Sequence, residues 1–176
     1  TKAQIGLGAY SASPADIGIS TATQTALDAK ADVDMIIEIL FGSPIDCSVL
    51  PTLYKNDATL ICTPVINAEN CTSLREVFRN CSKVTTVGGI HCPNVTNMGH
   101  MFNGCTSLKT IPLLDTSSVT DMGDMFAGCS ALTTIPLLDT SKVTNMWYMF
   151  SGCSSLTSVT FQCNNVRPYG NSMFNG

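Results

Sequence analysis

Nine cysteines, two histidines and thirteen carboxylates are the side chains of this 176-residue chain that could do chemistry. Cysteine offers the widest choice: a thiolate nucleophile, a disulfide, or a zinc ligand. Cys81, Cys105, Cys129 and Cys153 recur every 24 residues. Structural zinc sites need close pairs such as C-x-x-C, and none occurs. Nine is odd, so the cysteines cannot all pair within one chain. The recurring four lie beside apolar positions, and unpaired cysteine packs as a small, mostly buried hydrophobe. The expectation is a ladder of buried thiols, with Cys71, Cys92 and Cys163 at or near apolar positions too. Such thiols suit folding in a reducing cytoplasm.

The remaining polar groups do not converge. His91 holds the turn position that Asp115 and Asp139 hold in later copies, and His100 lies between two apolar methionines, hence outward. Asp115 and Asp139 would stack one strand spacing apart, roughly 4.8 Å, which suits turn capping better than acid–base work. No G-x-S-x-G, P-loop, H-E-x-x-H or dinucleotide motif is present. A glycan hydrolase would need a carboxylate pair in a cleft, and no such pair is legible. The chain is therefore read as non-enzymatic, with no catalytic, cofactor-binding or metal-binding residue. A net charge of −4, with 12% charged residues and no basic run, argues against nucleic acid. No apolar run approaches about 20 residues, so membrane insertion is not expected.

The elements that must position these residues are copies of one 24-residue unit, written five times from Asp57 to Gly176. Phe78, Phe102, Phe126, Phe150 and Phe174 mark it. A fixed period of this size signals stacked repeats. Apolar positions such as Leu60/Val84/Leu108/Leu132/Leu156 and Val65/Leu113/Leu137/Phe161 follow an L-x-x-L-x-L pattern and predict a strand. Runs such as Val95/Met98/Met101/Phe102 predict a short helix or 3₁₀ segment with the methionines in the core. Gly104, Gly128 and Gly152 then end the segment, with Asn80 in the first copy. The predicted fold is an α/β repeat solenoid: a leucine-rich-repeat-like stack of five units with one parallel sheet. The chain starts at Thr1 and stops one residue short of the next Cys position, as a piece of a longer array would.

The sequence V-T-N-M-x-x-M-F-x-G-C-x-S-L in residues 95–108 recurs in residues 143–156 and, with Asp121 for Asn and Ala131 for Ser, in residues 119–132. It resembles the BspA-like leucine-rich repeat family. The resemblance covers about two-thirds of the chain. It implies extracellular adhesion or recognition, without naming a ligand.

Upstream, Ile19, Ala22, Ala26, Ala29, Val33, Ile36 and Leu40 step by alternating threes and fours. That is a heptad seam. One alanine-rich helix of this length is marginal alone in water. It either lies on its own domain or joins copies of the chain in a coiled coil. Residues 1–8, TKAQIGLG, and 19–32, ISTATQTALDAKAD, resemble a segment common in bacteriophage tail fibres. Here Ala9-Tyr10-Ser11-Ala12 and Gly18 depart from that pattern. The resemblance implies a homotrimer, virion fibre or baseplate partners, and a virion location after assembly in the host cytoplasm. The expected organisation is a fibre-type segment at 1–42, a connector or cap at 43–56, and repeats at 57–176.

Recognition must then use outward positions. Between the methionines of successive units these read Gly99-His100, Gly123-Asp124 and Trp147-Tyr148. Exposed Trp and Tyr supply large rigid contact area. The alternative is that they pack on a neighbouring subunit or repeat. Trp147, Tyr148, His100, Asp124 and Lys109 are the candidate contacts for a host-surface glycan or protein. Two functions result: a receptor-binding phage tail or head fibre, or a secreted or surface-anchored bacterial adhesin.

Overall fold

A computed structural model describes residues 46–162 and 172–174. All of them lie in the unit Glu38–Gly176. The heptad seam of Ile19, Ala22, Ala26, Ala29, Val33, Ile36 and Leu40 falls outside the described residues.

The described residues form a repeat fold in which each unit pairs in parallel with the next. Five short elements stand out: helix α1 (Leu50–Tyr54), then strands β1 (Ile66–Asn67), β2 (Ile90–His91), β3 (Leu138–Asp139) and β4 (Phe161–Gln162). Strand β1 pairs with β2 in register Ile66↔Ile90, one 24-residue period apart. Strand β3 pairs with β4 in register Leu138↔Phe161, one residue short of that period. The single sheet expected from the sequence is thus two two-stranded pieces. Thr116 helps explain the break: its buried hydroxyl donates to the Asp139 carbonyl at 2.9 Å and accepts the Asp139 N–H at 2.8 Å, where backbone would otherwise pair. A second ladder of parallel bridges runs Ser73, Asn97, Asp121, Asn145.

The helix or 3₁₀ segment expected in each unit is a chain of tight turns. The N–H groups of Met101, Asn103 and Cys105 reach back only three residues, to Met98, His100 and Phe102. The intervening N–H groups of Met98, His100, Phe102 and Gly104 donate to Asp121, Gly123, Met125 and Ala127 of the next unit. A left-handed residue every fourth position makes this possible: His100 at φ 56° and Gly104 at φ 75°, with the same pair repeated at Asp124/Gly128 and Tyr148/Gly152. Left-handed backbone cannot continue an α-helix. Gly104 has a second reason to be glycine, since a Cβ would lie 2.4 Å from the Asn80 side chain.

The core is one column of rings sheathed in aliphatic side chains. Phe78, Phe102, Phe126 and Phe150 stack with centroids 5.6, 5.7 and 5.6 Å apart. Offset stacking of this kind adds to the large area each ring removes from water. Met98, Met101, Met122, Met125 and Met149 are fully buried around the column. The strand pattern differs from the one expected. Val65, Leu113 and Leu137 are exposed, and Ile66, Ile90, Leu114 and Leu138, one position later, are buried.

The column begins earlier than the repeat reading placed it. Tyr54 meets Phe78 at 5.4 Å, so residues 46–56 add a partial unit to the ring column. Leu50 is fully buried at the position that Leu74 and Met98 hold later. Cys47 is bonded to Cys71, 24 residues on, where later units carry Val95 and Val119. The expected thiol at Cys71 is therefore half of a disulfide. Cys62, Cys81, Cys92, Cys105, Cys129 and Cys153 remain thiols, and Cys62 is exposed.

Candidate functional site

The outward rows of the stack are built by the same turns that make its core. Glu76, His100, Asp124 and Tyr148 all sit at φ between 54° and 63°. The N–H of Glu76 donates to Gly99 O, that of His100 to Gly123 O, and that of Asp124 to Trp147 O, at 2.8 to 3.1 Å. These bonds line up the four residues in one row. Arg75, Gly99, Gly123 and Trp147 make the row beside it, each one residue earlier.

Of the candidate contacts, His100, Asp124 and Tyr148 share the first row and Trp147 ends the second. Trp147 is 55% exposed and Tyr148 39%. Their rings meet edge to face at 6.3 Å. The Trp147 N–H is tied to Asn145 Oδ1 at 3.1 Å, so the backbone under the indole is fixed. His100 Nε2 lies 3.8 Å from Asp124 Oδ2, and its Nδ1 is covered without a partner. Lys109 is exposed but belongs to a different position of the unit, not to either row.

The sequence reading passed over the opposite end of these rows. Glu76 takes Lys55 at 2.6 Å and Arg79 at 2.7 Å, and Arg75 stands 4.0 Å away. The Lys55 hydrogen bond is the main reason the Glu76 carboxyl titrates below its ordinary range. Arg75 and Arg79 were legible as charges, but Lys55 belongs to the unrecognised partial unit.

Two other features lie apart from these rows. A shallow groove of about 480 Å³ runs beside exposed Leu113 and Leu137, with Asp115 and Asp139 on its rim. Both carboxylates cap turns, accepting the N–H groups of Ser117 at 3.1 Å and Ser141 at 2.9 Å. Inside, a thiol ladder runs beside the ring column: Cys81, Cys105, Cys129 and Cys153 donate to the carbonyls of Tyr54, Phe78, Phe102 and Phe126 at 2.9 to 3.1 Å. Burial pushes the Cys105 thiol up to about 12 and that of Cys153 up to about 11, which keeps both protonated and unreactive near neutrality. Among the described residues no three His, Cys, Asp or Glu converge as metal ligands, and no helix is long and apolar enough to cross a membrane.

A solved structure of a leucine rich cell surface protein from Faecalibacterium prausnitzii A2-165 is similar to the chain, at 23% identity and a TM-score of 0.36. The similarity covers 64% of this chain and 35% of that one, so the chain spans about a third of the other's length. No curated protein matches. The family described as "Mycoplasma protein of unknown function, DUF285" matches residues 72–176, more than half of the chain and all three units that carry the BspA-like sequence. The chain belongs to the DUF285 family.

Proposed function

We propose that this chain is a non-enzymatic recognition module displayed on a bacterial surface, built as a solenoid of repeats and contacting an external partner through Trp147 and Tyr148. The observation that carries the reading is the pair itself. Among the described residues the recurring phenylalanines stack into the ring column, the last of them, Phe174, on Phe150 though it is 56% exposed. Trp147 and Tyr148 instead stand on rigid, hydrogen-bonded backbone with their rings turned outward. Large aromatics on a preordered surface are what binding hot spots are made of.

The Cys47–Cys71 disulfide supports the surface setting, because such bonds persist in oxidising compartments. Fluorescently labelled chain, titrated onto a panel of intact mammalian and bacterial cells, should bind at least one saturably. Binding to none of them contradicts the module.

The second reading is the phage fibre, favoured by the wording of residues 1–8 and 19–32 and by the heptad seam. Its mark is a homotrimer. Light scattering of the full chain, beside a variant with Ile36→Asp and Leu40→Asp, separates the two. A trimer that dissociates in the variant favours the fibre. A monomer in both favours the surface module.

A further inference from the structure

The outward double row has different chemistry at its two ends. At one end stand Trp147 and Tyr148. At the other, three cations gather around one carboxylate, a local excess of positive charge on a chain whose net charge is −4. Lys55 and Arg79 are held close to Glu76, which leaves Arg75 the least committed, at 4.0 Å and with its side chain 46% exposed.

The rows between the ends are low. A Cβ at Gly99 would lie 2.9 Å from Arg75 Nη1, so the guanidinium leans over the bare backbone toward the aromatic end. A Cβ at Gly123 would lie 2.7 Å from Asn145 Nδ2, which donates to Asp121 Oδ1 at 2.8 Å, so this position is kept small by that side-chain pair. The carboxylate of Asp124 projects from the neighbouring row beside His100, close to the aromatic end. From Arg75 to Trp147 is three unit steps, roughly 14 Å at the strand spacing.

We propose that this double row is a binding strip for a short acidic oligosaccharide. A sugar ring stacks on Trp147. The carboxylate or sulfate of the ligand pairs with Arg75, and Lys55 and Arg79 supply the surrounding positive field. Polarity is set by charge: Asp121, whose carboxylate lies beside Gly99 and Gly123, and Asp124 repel an acidic group from the middle and the aromatic end, so the anion must lie at Arg75. Aromatic faces match the C–H faces of sugars, and the Arg fork matches carboxylate or sulfate oxygens. This assignment rests on the recognition reading above and names its ligand class.

The test is an array of oligosaccharides bearing uronate, sialate or sulfate groups, with neutral oligosaccharides of equal length beside them, probed with the full chain. Binding should be selective for acidic members. Trp147→Ala should weaken it on the order of tenfold. Arg75→Gln should weaken acidic binding roughly threefold, with unchanged thermal stability, and leave any neutral binding alone. No acidic member bound, or acidic binding indifferent to Arg75→Gln, overturns the strip. If cell binding still depends on Trp147 in that case, the strip falls and the recognition surface stands. If Trp147→Ala leaves cell binding intact, the recognition surface falls and takes the strip with it.

Discussion

At the scale of single residues, most chemical potential is spent on packing. The thiol ladder is the clearest case. Each thiol at Cys105 or Cys129 gives a small apolar body and one donor to the carbonyl of the ring one unit back. Burial raises these thiols above the ordinary cysteine range, to about 12 for Cys105 and about 11 for Cys92 and Cys153, and Cys129 is pushed up too. In the unfolded chain they ionise near their ordinary value, so between that value and the folded one the unfolded state binds fewer protons. Stability is then fully present below pH ~9 and is lost as pH rises toward ~12. The urea midpoint should fall between about pH 8 and about pH 10.5, and less steeply with Cys105→Ala and Cys129→Ala combined. A parent midpoint that stays flat over that range contradicts the burial. Among the described thiols, Cys62 alone should react quickly with a thiol reagent in the folded chain.

Tyr148 shows the opposite use of a residue. It holds a left-handed backbone that costs a non-glycine residue about 1–2 kcal/mol, so it is placed against its local preference. Tyr148→Gly should keep or raise the thermal midpoint while weakening partner binding as much as Tyr148→Ala does. A large drop in midpoint for the glycine variant would mean that the ring is structural.

At the scale of elements, the 24-residue period, the ring column, the methionine core and the glycines at Gly104, Gly128 and Gly152 were all legible, because each is a repeated side-chain type at a fixed place. The turns were not. Apolar spacing of three, three and one fits one face of a helix, and it fits successive four-residue turns equally well. What decides between them is the left-handed backbone at Glu76, His100, Asp124 and Tyr148, four residue types that share no signal. The strand was misplaced by one residue because Leu113-Leu114 and Leu137-Leu138 are apolar at both positions, and only the fold says which member is buried. The partial first unit stayed hidden because Tyr54 replaces Phe and its turn is helix α1. The cationic end of the candidate site went unseen for the same reason. The Cys47–Cys71 bond ties that unit to the next, closing a loop of 24 residues. Its removal by paired Cys47→Ser and Cys71→Ser should cost about 3 kcal/mol of stability. An unchanged denaturation midpoint would show that the partial unit is not anchored this way.

At the scale of the whole molecule, the stack separates two jobs. Inward positions repeat because each unit must fit the one before it, whereas outward positions are free to vary. The change from Gly99-His100 and Gly123-Asp124 to Trp147-Tyr148 is the largest outward departure in the three matching units. It sits on backbone as well ordered by hydrogen bonds as the core itself. That combination, a variable aromatic pair on an invariant frame, is the basis for reading the molecule as a recognition surface. The most direct test is the dissociation constant of the full chain for the cell type it binds, measured for the parent and for Trp147→Ala with Tyr148→Ala at matched folding. The recognition reading predicts weakening on the order of tenfold or more with an unchanged thermal midpoint. Equal affinity for parent and variant would contradict it.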